Sequence, residues 1–585
     1  MSAKYVRRGS VSVLISLLTT IGVAACGGGD GGGSDGGLGA PKPVACAELS
    51  DMSIAAERIG LPTSGAVVTS TEIVAGQGDG PAAIGEYCKV LGEIKPVDPE
   101  APPIQFQVNL PVEWNHKVMM FGGGGYNGII ATGEGNVHAG AVDKPVPLGR
   151  GYATFGSDSG HQAGPATSRD GAFGLNDEAL RNFAGEALKK TRDAAWAVIT
   201  AHYGETPSKT YFAGGSTGGR EALLAVGNWP QDFDGAIVLF PAWDAVSLDL
   251  FFGHITRTLA EPGAYTNPQE RQLLLEFALA ACDGLDGVED GVVSNVTKCN
   301  EVFDPSKAKV NGKPLRCPAG QDTGDYCLSD AQIKALKRMN SPLAFSYALA
   351  SGEKHYPGFN IWGSDLGRAI PDANPVQQAL QPTVISLALG TVQPASPMPP
   401  VAAEGAPPYG STFWDEWVRY FVTRNPEFNS LALDPVIPGE WQSRIIELSA
   451  LQEVTRTDFS EFQAKGGKIL IAHGTADVLV SNRATQVFMK RLREAMGAEM
   501  VDSFVRYYEI PGYGHAASSI FNAAWDSVTT LANWVEKGVE PTAQVVADTA
   551  GVPGRTRPLC EYPSWPKYIG SGDVNEAVSY TCVLE

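Results

Sequence analysis

Positive charge is scarce in this chain of 585 residues: 44 Lys and Arg stand against 64 Asp and Glu, a net charge of −20. That balance argues against nucleic acid or an anionic membrane surface as the main partner. Past the N-terminus no uncharged apolar run reaches the length of a helical membrane span, so none is expected. No CxxC spacing occurs, which removes the usual frame for a structural zinc site. Only 18% of residues are charged and 43% are apolar, a globular composition, while 68 Gly and 40 Pro suit long ordered loops. The length exceeds one typical domain, so several domains or one domain with a large insertion are expected.

The N-terminus reads as a leader. Lys4, Arg7 and Arg8 precede an apolar stretch from Val11 to Val23, ending Val23-Ala24-Ala25-Cys26. This is a signal peptide over residues 1–25, and a cut before Cys26 matches the bacterial lipoprotein box, in which that cysteine is acylated. Ordinary cleavage without a lipid is the alternative. Residues 26–40 then form a lipidated cysteine and a Gly-rich tether. Losing the three leader cations takes the net charge from −20 to −23. The expected location is outside the cytoplasm, anchored by lipid to the outer membrane or the periplasmic face, and otherwise secreted. The lipid on Cys26 is the only membrane contact expected. Of nine cysteines, eight remain after Cys26: Cys46, Cys88, Cys282, Cys299, Cys317, Cys327, Cys560 and Cys582. An even count in an exported protein reads as four disulfides, with the pairing open at this point.

Apolar patterning predicts strands at Ile104–Leu110, Lys117–Phe121, Tyr152–Gly156, Thr210–Ala213 and Gly235–Phe240. Helices are predicted at Glu178–His202 and Arg220–Val226. The alternation implies a parallel α/β sheet. It breaks up over 242–465 and resumes with strands Lys468–Ala472 and Phe504–Ile510, and helices Arg483–Met496 and Ala516–Glu536. One α/β core in two parts, 41–241 and 466–585, with an inserted segment 242–465, accounts for this.

Gly214-Gly215-Ser216-Thr217-Gly218 matches G-x-S-x-G between a predicted strand and a predicted helix. In that context the string reads as a nucleophile elbow, which exposes a serine Oγ at a strand's C-terminal end. A Gly-rich turn with a solvated serine is the alternative. A serine needs a base and an orienting acid. Of eight histidines only His473 and His515 follow the insertion. His515, in a loop after the last strand, is the candidate base, and Asp477, after the preceding strand, the candidate acid. His473 reads as a structural turn residue. The backbone of Thr217 and of the loop Gly122–Gly125 would supply an oxyanion hole. Gly123, Gly125 and Gly128 also satisfy G-x-G-x-x-G, but no helical period follows, which speaks against a dinucleotide site.

These motifs, with Gly-Ser-Thr-Gly-Gly-Arg at the elbow, the His-Gly-x-x-Asp turn at His473, Pro-Gly-x-x-His at His515 and Arg555-Thr-Arg-Pro-Leu-Cys560, resemble the tannase and feruloyl esterase family over most of the mature chain. The resemblance implies an α/β-hydrolase core with a large lid inserted between nucleophile and acid. It also implies a serine esterase acting on small esters of aromatic acids of the feruloyl, galloyl or terephthalate type. Carried over by position, Ser216 is the nucleophile, Asp477 the acid, His515 the base, and Gly125 and Thr217 the oxyanion donors. The same resemblance implies the pairs Cys46–Cys88, Cys282–Cys299, Cys317–Cys327 and Cys560–Cys582, and a monomer is expected.

The stretch Cys282–Val292 holds three Asp within eight residues, spaced by Gly. Such a loop can wrap a hard cation, although position 12 of the run is Ser294 and not an EF-hand Glu. By resemblance a structural calcium ion in the lid falls to Asp283, Asp286 and Asp290 and the carbonyls of Val288 and Val292. A solvated acidic loop is the alternative. The family's cysteines beside the nucleophile and base are absent: those positions are Gly215 and Ala516. If the backbone keeps the family geometry, their Cβ positions lie about 3.5–4.5 Å apart, and a Cys pair there would oxidise. Lid aromatics Trp362, Phe413, Trp414 and Trp417 face an aromatic acid or pack a lid core. The family's terephthalate branch pairs the substrate carboxylate with a lid Arg. Between Gly410 and Tyr420 none stands at the matching place, only Arg419 further on. A general carboxylesterase or lipase-like hydrolase, and a non-catalytic calcium-dependent binding module, are the rival functions.

Overall fold

The computed structural model describes residues 42–164, 167–396 and 406–584. The leader, Cys26 and the tether therefore lie outside the described residues. Ten strands form the main sheet: β1 Ser53–Ile54, β2 Ala66–Val74, β3 Tyr87–Ile94, β4 Ile104–Pro111, β5 Lys117–Phe121, β6 Ala153–Ser157, β7 Lys209–Gly215, β8 Gly235–Leu239, β9 Lys468–Gly474 and β10 Val505–Ile510. Their order is β1-β2-β3-β4-β6-β5-β7-β8-β9-β10. Strands β1 to β4 pair antiparallel, and β4 joins β6 antiparallel. From β6 through β10 every pairing is parallel.

The parallel strands are buried on both faces, and their side chains alternate between two cores. Val118, Phe212, Val238 and Ile471 point into one core, with Ala194 and Val198 of the helix Ala187–Tyr203 and Leu223 of the helix Thr217–Asn228. Their chain neighbours Met119, Tyr211, Ile237 and Leu470 enter the other, against Val528, Leu531 and Trp534 of the helix Ser527–Lys537. Val238 pairs with Gly214 on one side and Ile471 on the other. The sheet thus closes across the insertion, bringing β9 and β10 beside the strands that precede it.

The inserted segment is helical, with helices at Ala245–Leu259, Pro268–Cys282, Asp330–Asn340, Tyr409–Glu416 and Gln442–Gln452. Its core, around Phe251, Trp414, Trp417 and Leu448, is continuous with Tyr126, Phe183 and Leu479 of the α/β part. Its starts follow local chemistry: Asn267 accepts from the amides of Gln269 and Glu270, and Glu270 reaches back in a capping box. All four cysteine pairs implied by the resemblance are bridged.

Two expectations need correction, and one group of strands went unread. The helix expected over Glu178–His202 is broken: Asp177–Arg181 runs into a π-type turn, Asn182–Glu186, before Ala187–Tyr203. Gly185, at φ 150° and ψ −18°, makes the break. The helix expected from Ala516 begins only at Ser527, where the Asp526 side chain accepts from the Thr529 amide. Ala516 has φ 60°, outside helical space. Strands β1 to β3 were not read from the sequence; β3 alternates between core and partly exposed positions, and Cys88 ties it to Cys46.

Candidate active site

The C-terminal ends of β5, β7, β9 and β10 meet on one side of the sheet, where open parallel sheets place their sites. Ser216 occupies the turn between β7 and the following helix at φ 60° and ψ −124°. A non-glycine residue holds such a conformation only where its surroundings over-determine it. Here the Ser216 amide donates to Leu239 O at 3.0 Å, and its carbonyl accepts from the Ala242 amide at 3.1 Å.

Glycine is required around it by close backbone approach. A Cβ on Gly214 would stand 2.2 Å from Gly218 O, and one on Gly218 would stand 2.6 Å from Gly123 O. The Gly122–Gly125 loop is thereby pressed against the first turn of the elbow helix. The Gly218 amide donates to Gly123 O at 3.1 Å, and Thr217 Oγ1 donates to Gly125 O at 2.7 Å. Gly125 and Thr217, the candidate oxyanion donors, therefore border the same cavity as Ser216.

The sequence reading missed Glu221. Its buried carboxylate accepts from the Gly123 amide at 2.9 Å and from Asn127 Nδ2 at 2.6 Å, tying the Gly-rich loop to the elbow helix. The available signal was an acid beside Arg220 on a helix otherwise made of small and apolar residues. Burial raises the Glu221 pKa, while Arg220 and the Gly123 amide oppose that rise.

His515 lines the cavity with Ser216, and its Nδ1 lies 2.8 Å from Asp477 Oδ2. Asp477 is fully buried, and its Oδ1 accepts from the amides of Leu479 at 2.9 Å and Val480 at 2.8 Å. Burial would raise its pKa, but His515 and His473 outweigh it and hold the carboxyl well below the usual range. His473, expected as a structural turn residue, is instead the fully buried penultimate residue of β9, just before the turn that carries Asp477. Its Nε2 sits 3.3 Å from Asp477 Oδ2 and 3.0 Å from Val480 O, and its Nδ1 meets Thr485 Oγ1 at 2.9 Å. The structure thus brings Ser216, Asp477, His515, Gly125 and Thr217 together.

The cavity measures about 420 Å³. Tyr409 and Phe413 of the inserted segment wall it, with Leu248 and Phe252. Trp362, Trp414 and Trp417 are buried in the inserted segment's core instead. Arg419 is tied to Asp415 at 3.1 Å and to Pro426 O at 2.5 Å, and it does not line the cavity.

The chain matches the family model described as "Tannase and feruloyl esterase" over residues 88–583. It belongs to the tannase and feruloyl esterase family. Membership makes it a carboxylic ester hydrolase, which removes the non-catalytic binding module from the alternatives. It is 40% identical to an uncharacterised esterase of Agrobacterium fabrum, covering 93% of this chain and 94% of that one. It is 29% identical to mono(2-hydroxyethyl) terephthalate hydrolase of Piscinibacter sakaiensis, covering 86% and 85% of the two chains. The solved feruloyl esterase B of Aspergillus oryzae superposes with a TM-score of 0.69 at 22% identity, over 89% of this chain and 98% of that one. The fold is the α/β-hydrolase fold.

The expectation for Gly215 and Ala516 changes. A Cβ on Gly215 would stand 2.6 Å from the Phe240 ring and 2.7 Å from the His138 ring. Phe240 is fully buried, and its ring lies 4.7 Å from the His515 ring, tilted by 55°. The space a bridge would enter is filled by rings that pack the nucleophile loop against the base.

The acidic loop is pinned at both ends by Cys282–Cys299. Asp283 accepts from the amides of Asp290 at 3.1 Å and Gly291 at 2.9 Å, and Asp286 Oδ1 accepts from Val288 N at 3.1 Å. Asp290 is paired with the Arg557 guanidinium, and its carbonyl accepts from Arg555 at 2.8 Å. Asp290 turns to Arg557, and no cluster of three metal-ligating side chains stands among the described residues. Asp286 is fully buried, however, and its Oδ2 has no hydrogen-bond partner among the described residues. That orphaned oxygen, in an all-oxygen donor set, fits a hard cation such as calcium.

Two outcomes are expected. Gly218→Ala should destabilise the protein by about 1–3 kcal/mol, as overpacking against backbone does. Gly124→Ala should be near neutral, since a Cβ there meets nothing within 4 Å; thermal melts compare the two. The double change Gly215→Cys with Ala516→Cys should leave two titratable thiols under oxidising conditions.

Proposed function

We propose that the protein hydrolyses carboxylic esters of aromatic acids, of the feruloyl, galloyl or terephthalate type, through an acyl-enzyme formed on Ser216. The observation carrying this reading is the strained Ser216 facing one cavity with a His515 already oriented by Asp477. With Asp477 ionised, the His515 proton sits on Nδ1, which leaves Nε2 to accept the proton of Ser216 Oγ. Oγ attacks the ester carbonyl carbon, and the oxyanion takes hydrogen bonds from the peptide N–H groups of Gly125 and Thr217. His515 returns the proton to the departing alcohol oxygen. Water, deprotonated by His515, then attacks the acyl carbon and releases the acid and Ser216. The aromatic walls Tyr409 and Phe413 support an aromatic acyl group, in keeping with the named activities of the relatives.

Ser216→Ala should lower kcat for ester hydrolysis by about 10⁴-fold or more while the melting temperature stays unchanged, and His515→Ala should behave alike. Retained activity in either variant overturns the assignment. The apolar cavity lining also favours a second reading, a general carboxylesterase of acyl chains. A panel of methyl gallate, methyl ferulate, a terephthalate monoester and a chain-length series of nitrophenyl esters separates the two.

Calcium is part of the proposal. Asp283, Asp286 and Asp290, with the carbonyls of Val288 and Val292, would hold it, and bound there it would neutralise the loop's carboxylates. Its role would be structural. Excess chelator should lower the melting temperature by a few degrees, since a ligand bound only to the folded state stabilises it by about 2.7 kcal/mol at a hundred times Kd. Asp286→Ala should abolish that sensitivity, and an unchanged melt with no calcium found by elemental analysis leaves the solvated loop. Export, with Cys26 as lipid anchor, completes the reading; the four disulfides support an oxidising compartment.

A further inference from the structure

A second histidine, which the ester chemistry above does not use, stands in the catalytic cavity. His138 follows the Gly-rich loop in sequence, and it lines the cavity together with Ser216 and His515. The glycine before the nucleophile leaves it room: a Cβ on Gly215 would stand 2.7 Å from His138 Cδ2. The ring also packs against Phe240, 5.3 Å between centroids at 74°.

The local backbone is built to hold it there. The Gly140 amide donates to Val137 O at 3.0 Å, closing a turn with His138 and Ala139 at its apex. Ala139 takes φ 50°, a conformation that favours glycine, and its carbonyl accepts from the Trp525 amide at 2.7 Å. Val137 is buried in the core, and Asn136 Nδ2 donates to Ala141 O at 3.0 Å. A strained residue persists only where its surroundings over-determine it, so His138 beside it is held as well.

Two observations say what the ring faces. Among the residues lining the cavity, Ile129, His138 and Ala516 are the exposed ones, whereas Leu248, Phe252 and Phe413 are buried. The open rim thus adjoins His515, the group that returns a proton to the departing alcohol. The alcohol half of the ester belongs on this side, and the acyl half toward the buried walls. The His138 ring is reached by solvent along the cavity, yet protein surrounds it. That enclosure, with His515 nearby, lowers its pKa to about 4, and no hydrogen bond engages its ring nitrogens among the described residues. At neutral pH it is therefore uncharged, with one nitrogen to donate and one to accept. A hydroxyl matches both, and an anion gains nothing from it.

We propose that His138 is the contact for the alcohol half, hydrogen-bonding a second hydroxyl on the leaving alcohol and so favouring esters of polyhydric alcohols over those of simple alkanols. The inference rests on the reading of this cavity as the ester site.

The test compares kcat/KM for 2-hydroxyethyl 4-hydroxybenzoate and propyl 4-hydroxybenzoate, which match in size and differ by the hydroxyl. Each value is divided by the rate of hydroxide-catalysed hydrolysis of the same ester, which removes the difference in leaving-group ability. Both esters form the same acyl-enzyme, so any remaining difference belongs to binding and acylation. The expected wild-type preference for the hydroxyethyl ester is about 3- to 10-fold, the size of one net hydrogen bond. His138→Phe keeps a ring against Phe240 but loses both nitrogens, and it should bring the ratio toward one. A wild-type ratio below about twofold overturns the proposal, as does a variant that keeps the full preference. A loss shared equally by the two esters marks a structural part only, and overturns it too. If the variant fails to fold, the wild-type ratio decides alone. Turnover of both esters without preference removes this role from His138 and spares the esterase, whereas silence on every ester of the panel overturns both.

Discussion

Backbone packed on backbone is the constraint on which the site depends. Gly122 and Gly123 leave β5 and lie directly against Gly218, which in turn lies against Gly214, with no side chain between them. That contact sets the Gly-rich loop beside the elbow, and Glu221 fixes it by holding the Gly123 amide from within the helix. Ser216 then has nowhere to relax, since its own amide and carbonyl are taken by Leu239 and Ala242 at the end of β8. Its φ of 60° is a consequence of these neighbours. The strain belongs to the serine, but the stability that sustains it comes from three strand ends.

The acid–base half is assembled in another way. Asp477 has no solvent and two imidazoles, so its charge is stabilised by His515 on one side and His473 on the other, with two backbone amides on its second oxygen. His473 acts as a positioning residue for the carboxylate and has no path to the cavity. Phe240, between His515 and the elbow, joins the halves by packing. Where the family resemblance implies a covalent tie, this chain has a ring.

Most of the candidate site was legible because its chemistry is local in sequence. Glycine spacing marks the elbow, and strand-end positions mark Asp477 and His515. The parallel strands were legible because burial on both faces leaves unbroken apolar runs. What escaped is what depends on neighbours distant in sequence. Glu221 and Arg220 look like ordinary helical charges until the loop at Gly123 and the helix ending at Gln452 close over them. Strand β1 is two residues long and β2 loses its alternation beyond Val68, at the sheet edge. The helix at 516 was misplaced because alanine-rich sequence favours a helix, and tertiary contact at the base loop overrode it.

The Arg555-Thr556-Arg557 motif shows how the same logic extends beyond the cavity. Arg555 and Arg557 lie in the C-terminal segment, yet both reach the acidic loop, one to the Asp290 carbonyl and one to its carboxylate. Arg555 also holds Asp548 and the Ile520 carbonyl, both at 2.8 Å, in the stretch that follows His515. Ser519 in that stretch touches Asp365 of the inserted segment. The inserted segment is therefore fastened to the base loop through charge as well as through packing. The acidic loop is thus tied to the C-terminal segment that also holds the stretch after His515.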